Sequence, residues 1–428
     1  MESGMKGRIA GLLGSAMLRG SVVLWVGMMA ANLSNYVFHL LMGRFLGPVN
    51  YGVLASVVSI LYYLMVPTTT ITTIVMKYAA EFEVEGAPGK THALFKRLTR
   101  QLLVISLVLF CLMAAASPLI SRFLRMDSVW PLLILSTVIL VTYLLPINRG
   151  VLQGLQKFGT LSTNLVIETV LKVIVGIALV AGGYAVNGAV FSIVLAMVVA
   201  YALSFIPMRR ILAAHEAGVV ELGPVWRYSI PVFITLLCLN SYYSIDIILV
   251  KHFLSPIDAG HYSGLSILGK IVVFASLAIV GVMFPIVAGR HKADQRHGGV
   301  LLSTLAMITL VSGAIVAAYA AAPRPVINIL FGAKYLPVAP YLATFGTAML
   351  MLALATALAN YFLAINRTGG VPILIAVAIG QVAALLVWHD SLTHIVAVMF
   401  ATMAVLLASL AVYYLLAVRG RPANDLLD

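Results

Sequence analysis

Stretches of roughly twenty residues without a charge recur along this chain, and they decide the solvent in which it folds. Leu301 to Ala322 is one such stretch, and Leu102 to Ile120 is another, with nothing more polar in it than two serines. A helix rises 1.5 Å per residue, so about twenty apolar residues cross a hydrocarbon core about 30 Å thick. Only 10% of the residues are charged, against about 25% in a soluble domain. A surface so poor in charge cannot be wetted, and lipid has to cover most of it. The apolar runs are continuous and lack the alternation of barrel strands, so the spans are helical. The net charge of +13 does not imply nucleic acid, because the basic residues fall in short segments between apolar runs. Cys111 and Cys238 lie inside such runs, which argues against a disulfide framework.

The pattern predicts an all-α polytopic membrane protein of about twelve transmembrane helices, at 21–43, 51–76, 100–121, 130–148, 159–181, 187–208, 229–250, 260–288, 299–321, 340–364, 371–388 and 394–417. Residues 5–19 carry apolar side chains on one face and Lys6, Arg8 and Arg19 elsewhere, which reads as an interfacial helix and not as a cleavable signal. The expected organisation is a cytoplasmic interfacial helix over 1–20, a six-helix bundle over 21–208, a cytoplasmic linker over 209–227, a second six-helix bundle over 228–418 and a cytoplasmic tail over 419–428. The connections 77–99 and 209–227 are expected to be the longest and most charged loops. With the N-terminus inside, Lys and Arg are about three times as frequent in the inner segments as in the outer loops. Both termini are therefore expected on the cytoplasmic side of the cell membrane.

The chain repeats itself. Phe45-Leu46-Gly47-Pro48-Val49-Asn50-Tyr51-Gly52 matches Phe253-Leu254-Ser255-Pro256-Ile257-Asp258-Ala259-Gly260 at a shift of 208, and Asn32 matches Asn240 at the same shift. Ser117-Pro118-Leu119-Ile120 resembles Arg324-Pro325-Val326-Ile327 at a shift of 207. Six spans separate the copies, an even number, so both bundles have one orientation and the repeat is parallel. Such repeats place a substrate path between them.

Several of these residues carry a resemblance. Gly43-Arg44-Phe45-Leu46-Gly47-Pro48-Val49-Asn50-Tyr51-Gly52 is similar to the first loop of polysaccharide and O-antigen flippases. Asp246 to Leu254, Ala259-Gly260-His261-Tyr262-Ser263, Phe284-Pro285 and Gly150 to Phe158 fit the same family. It belongs to the multidrug/oligosaccharidyl-lipid/polysaccharide flippase superfamily. The resemblance implies two six-helix bundles in a V around a central cavity. It also implies carriage of a polyprenyl-pyrophosphate-linked glycan from the cytoplasmic to the outer leaflet by alternating access, driven by a proton or sodium gradient, with no further cofactor. Glycan polymerase and export proteins are the partners it suggests; nucleic acid is not.

Ionisable groups inside spans cost about 2.5–3.5 kcal/mol each on insertion scales, so each needs a reason. Glu168 and Lys172 stand one turn apart in span five, in the favourable order for a helical ion pair. They form either a self-neutralised pair or one that opens so that Lys172 meets substrate phosphates. Lys270, about ten residues into span eight, has no carboxylate at i±3 or i±4. Its partner must come from another helix, from cavity water or from the substrate's pyrophosphate. Asp246 in span seven lacks a local cation, and His39 in span one stands nearly at the equivalent position of the first copy. These two either bind a coupling proton or sodium ion or join helices by hydrogen bonds. Pro67, followed by Thr68, Thr69, Thr70, Thr72 and Thr73, suits a gating helix or ordinary packing. Arg44 and Arg149 near span ends are interfacial anchors or ligands.

Gly89-Lys90-Thr91 lacks the first glycine of a phosphate-binding loop, since Val84 stands there. His389, Asp390 and His394 in an outer loop read as a solvated turn and not a metal site. No catalytic set is expected. The rival readings are a drug or organic-cation antiporter of the same superfamily and a membrane glycan polymerase or ligase. The first would want net acidic groups within the spans, and the second would want catalytic groups at the outer face.

Overall fold

The computed structural model describes residues 2–212 and 226–417, and the regular structure among them is helical throughout. Helix α1 (Glu2–Val84) holds two crossings separated at Gly47, which takes φ +70°. Glycine adopts that conformation without a Cβ penalty, and Pro48 after it supplies no amide to carry the helix on. Helix α2 (Pro88–Phe123) follows, and the fourth crossing is split into α3 (Trp130–Thr142) and α4 (Leu145–Gly154). Helix α5 (Phe158–Leu179) ends in a wide turn, Val180–Tyr184, where Gly183 has φ +90°, and α6 (Ala185–Leu212) returns. The seventh crossing is broken into α7 (Trp226–Ser241) and α8 (Ile245–Phe253), bent by 41°. Then come α9 (Pro256–Lys292), α10 (Gly298–Ala321), the short α11 (Pro323–Leu330), α12 (Leu342–Ala364), α13 (Val371–Val387) and α14 (Leu392–Ala417). Pro88, Pro131, Pro146, Pro256, Pro323 and Pro372 all stand in the first two positions of their helices, where a missing amide costs nothing.

Among the described residues, nine helical stretches are long and apolar enough to cross a membrane. Two of them, Arg19–Val84 and Phe158–Arg209, are broken at Gly47 and Gly183 and each crosses twice, and the bent α7–α8 pair adds one more. The described residues therefore make twelve crossings, as the hydropathy pattern predicts. One connection differs from expectation. The loop over 77–99 shrinks to residues 85–87, because α1 runs on to Val84 and α2 starts at Pro88. Most charges expected in a loop lie instead on helix extensions: Lys77 pairs with Glu81 (3.8 Å) along α1, and Lys90 at the start of α2 pairs with Glu85 of the short loop (2.7 Å). At the N-terminus, residues from Glu2 onward continue without a break into the first crossing. Residues 213–225 of the linker and the whole 419–428 tail lie outside the described residues.

By contacts the chain divides into two units, unit 1 of Met1–Phe45 and Leu64–Val225 and unit 2 of Leu46–Tyr63 and Trp226–Asp428. Unit 2 thus takes the first half of the second crossing. In unit 1 the cluster Val75, Leu144, Ile147, Val151, Leu152, Leu161 and Met208 is buried where α4, α5 and α6 meet the end of α1. In unit 2, α12 is covered on all sides over one full turn, every residue from Ala355 to Ala359 being buried, and α9 lies against it, Gly269 facing Phe345 and Met349. A helix with apolar residues all round its circumference belongs at a core.

The two copies of the repeated motif meet inside unit 2. A Cβ on Gly52 would lie 3.1 Å from Gly260 Cα, and one on Gly260 would run into the Pro48 carbonyl. The two glycines are equivalent in the repeat, so two copies of one motif cross backbone to backbone, and only glycine permits that approach. The copies solve the preceding break differently. Gly47 uses a left-handed φ, whereas its counterpart Ser255 caps α9 by accepting from Asp258 N–H at 3.2 Å.

Candidate functional site: two buried lysine clusters

Unit 1 gathers its polar groups on α5, whose Asn164, Glu168 and Lys172 follow at i, i+4 spacing along one face. The guanidinium of Arg149 on α4 reaches two of them. Its Nε and Nη2 donate to Asn164 Oδ1 at 2.9 and 2.8 Å, and Nη2 also donates to Glu168 Oε2. Asn164 in turn donates to the Ala200 carbonyl of α6 at 2.7 Å, and Asn148 donates to Ser204 Oγ at 2.6 Å. The direct ion pair of Glu168 is made with Arg149, while Lys172, one turn along, keeps an electrostatic interaction with Glu168. The rigid fork of arginine engages a carboxylate and an amide together, which a lysine one turn along the same helix cannot do. Lys172 turns instead to α1. It donates to Asn35 Oδ1, and its ammonium lies 4.8 Å from the centre of the Phe38 ring. His39, next in sequence, is buried in the same unit with its ring edge-on to Phe38.

Unit 2 builds its cluster around the break in the seventh crossing. Asp246 occupies the first turn of α8, where helix amide groups favour an anion. Tyr262 on α9 donates its hydroxyl to Asp246 Oδ2 at 2.7 Å. Lys270, two turns further along α9, interacts electrostatically with Asp246. Its ammonium lies 5.2 Å from the centre of the Tyr62 ring and 5.5 Å from that of Tyr243. Tyr63 donates to Ser241 Oγ, on the last residue of α7, at 3.0 Å. Burial is complete here, with Asp246 at 0% and Lys270 at 1% exposure, so the charges have to be met by protein groups and not by bulk water. The sequence leaves both residues without a local partner; the fold supplies each with the other.

Asp246 and Lys270 are thus together in unit 2, while Glu168, Lys172 and His39 belong to unit 1. Arg44 is exposed, just before the Gly47 break. Pro67 lies inside α1 with no non-helical residue beside it, and the hydroxyls of Thr68, Thr72 and Thr73 donate to the carbonyls of Met65, Thr68 and Thr69. The chain passes from unit 2 to unit 1 between Tyr63 and Leu64, in the turn whose backbone hydrogen bond Pro67 removes. Between α13 and α14 the His389 ring stacks on Phe253 at 3.8 Å, while His394 faces Asp390 at 3.8 Å. Sequence reading missed Tyr62, Tyr243, Tyr262, Asn35 and Arg149 as partners. One signal was available for Tyr62, which stands 208 residues before Lys270, the shift that also relates Gly52 to Gly260.

Comparison with solved structures finds the same fold in several transporters. The inward-facing conformation of a multidrug resistance MATE family transporter of the MOP superfamily matches with a TM-score of 0.76 at 12% identity, over 92% of this chain and 96% of that one. The MATE multidrug transporter DinF-BH matches at 0.70 and 14% identity, over 95% and 96%. A MOP superfamily transporter from Pyrococcus furiosus, described as having a binding pocket of reverse polarity, matches at 0.65 and 14% identity, over 93% and 94%. No curated protein sequence matches. A family described as polysaccharide biosynthesis protein matches residues 41–340, which takes in the repeated motif, most of both lysine clusters and most of the crossings. With the match extending over well beyond half of its length, this multi-pass membrane chain belongs to that polysaccharide biosynthesis family, on the fold of the MOP superfamily transporters.

Proposed function

We propose that this protein is a flippase. It moves a lipid-pyrophosphate-linked oligosaccharide from the cytoplasmic to the outer leaflet of the cell membrane by ion-coupled alternating access. The observation that carries this reading is the polysaccharide-biosynthesis family match on a fold shared with transporters. The buried charges support it. Lys172 and Lys270 supply compact positive charges suited to a pyrophosphate, and Arg44 at the membrane surface makes a further contact. Asp246 holds Lys270 in the state described. A proton or sodium ion taken up at Asp246 weakens that hold and makes Lys270 available to phosphate, so ion binding and substrate binding share one residue pair. His39 and Glu168 are the corresponding titratable groups of unit 1. Pro67, at the point where the chain changes units, is the position at which the second crossing bends during the cycle.

The test is flipping in proteoliposomes. Lipid-pyrophosphate-linked oligosaccharide is placed in one leaflet and its arrival in the other is followed with and without a proton or sodium gradient. Protein-dependent, gradient-sensitive movement is expected. Absence of movement across several glycans, together with export of a cationic dye, would replace this reading with the organic-cation antiporter. The names of the multidrug transporters sharing the fold keep that reading alive. A reporter fused after Asp428 is expected to be active only in the cytoplasm.

A further inference from the structure

We infer that Tyr62, Tyr243 and Asp246 form an ammonium-binding site within unit 2 that Lys270 occupies from inside the protein, and that Lys270 thereby excludes external organic cations. Two aromatic faces within 5.5 Å of a positive nitrogen are the arrangement by which proteins recognise alkylammonium ligands. The rings are held in place. Tyr243 is braced edge-on by Phe274 at 5.7 Å, and Tyr62 comes from the crossing that packs on α9 through the Gly52–Gly260 contact. The carboxylate that completes the site is fixed by the Tyr262 hydroxyl and by the first turn of α8, so it does not depend on the lysine for its position. Two ring faces and a carboxylate suit an ammonium whether or not it is tethered to the chain. The repeat sharpens the point, because the residue equivalent to Lys270 in the first copy is Tyr62, one of the rings. One copy supplies the cation and the other supplies a face that binds it.

A lysine side chain is an alkylammonium on a four-carbon stem, so Lys270→Ala leaves a space shaped for propylammonium. The experiment titrates propylammonium chloride, at ionic strength matched with sodium chloride, into the purified full-length protein in lipid nanodiscs. Heat of binding and thermal unfolding are both read. The Lys270→Ala protein is expected to bind propylammonium at least about tenfold more tightly than the wild type, and Lys270→Ala/Asp246→Asn to lose that gain. Lys270→Met, which keeps the stem without the charge, is expected to gain nothing. If Lys270→Ala is not monodisperse alone, propylammonium present throughout purification is expected to restore it. Equal binding by wild type and Lys270→Ala, or an equal gain in the Met protein, or neither binding nor restoration, overturns the proposal. The titration contains no glycan lipid, so a failed flipping assay leaves it untouched.

Discussion

The two lysine clusters solve the same problem with different charge balance. Unit 2 sets one cation, Lys270, against one anion, Asp246, and seals both from water. Unit 1 sets two cations, Arg149 and Lys172, around the single carboxylate of Glu168, which Arg149 takes in a direct ion pair. Lys172 keeps an electrostatic attraction to Glu168 beside an amide oxygen and a ring face, and it is half-buried where Lys270 is fully covered. A neutral sealed cluster is suited to switching, since removing or adding one charge leaves the other without compensation. A cluster that is only partly covered and carries a surplus positive charge is suited to meeting an anion. Under the flippase reading, the phosphates therefore engage Lys172 first and the coupling event occurs at Asp246.

The largest expected effect separates the clusters by stability. Asp246→Asn strands the Lys270 charge in a sealed site, and loss of one partner of a buried pair costs about 3–5 kcal/mol. Thermal unfolding in detergent is expected to show this, and adding Lys270→Met to Asp246→Asn is expected to recover most of it. If the single and double variants unfold alike, the two groups do not compensate each other. Next comes transport. Lys172→Ala is expected to lower flipping at limiting substrate by about 10–100-fold, the worth of one charge-assisted contact to phosphate, with little change in unfolding temperature. A Lys172→Ala protein that flips normally while Lys270→Ala does not would reverse the assignment of first contact.

Smaller effects probe how each cluster is framed. Glu168→Gln leaves Arg149 still bonded to Asn164 Oδ1, so its cost is expected to be about 1–3 kcal/mol, below that of Asp246→Asn in the same unfolding assay. A larger loss would mean that unit 1 depends on its carboxylate as heavily as unit 2 does. Gly260→Ala presses a methyl group on the Pro48 carbonyl and is expected to destabilise by about 1–3 kcal/mol, whereas Gly281→Ala, on the same helix with open space at its Cβ, is not.

Much of this arrangement was written in the chain in one dimension and lost in three. The crossings followed from hydropathy because lipid imposes length and polarity on each segment separately. The helix extensions over 77–84 and 88–99 did not, since a charged helix leaving the membrane has the composition of a loop. Glu168 and Lys172 are neighbours at i, i+4, and the rule for helical pairs favoured them; Arg149, nineteen positions from Glu168 and on another helix, won because partner choice is a matter of packing. Lys270 and Asp246 posed a constraint without an answer, each lacking an opposite charge at i±3 or i±4 on its own helix. The repeat held more than was read from it. A shift of 208 relates Gly52 to Gly260 and Tyr62 to Lys270, and both pairs are in contact.

The smallest effect is also a control on the largest. Between α9 and α10 in unit 2, His297 precedes α10 and its ring bonds to the Tyr361 hydroxyl at 2.7 Å and to His291 at 3.4 Å. Burial, and secondly the His291 ring, hold its pKa below the ordinary value of 6.5. The unfolded chain therefore binds a proton more readily than the folded one. Stability is expected to fall as pH drops through about 6.5 and to level off once the folded-state value is passed. That window overlaps any pH dependence of coupling, so it has to be subtracted before a transport profile is assigned to Asp246. In a His297→Asn protein the slope of unfolding temperature between about pH 7 and about pH 5, a range set by the usual histidine titration, is expected to flatten. If the slope is unchanged there and vanishes in Asp246→Asn instead, the acid sensitivity belongs to the sealed cluster, and stability and coupling titrate at the same carboxylate.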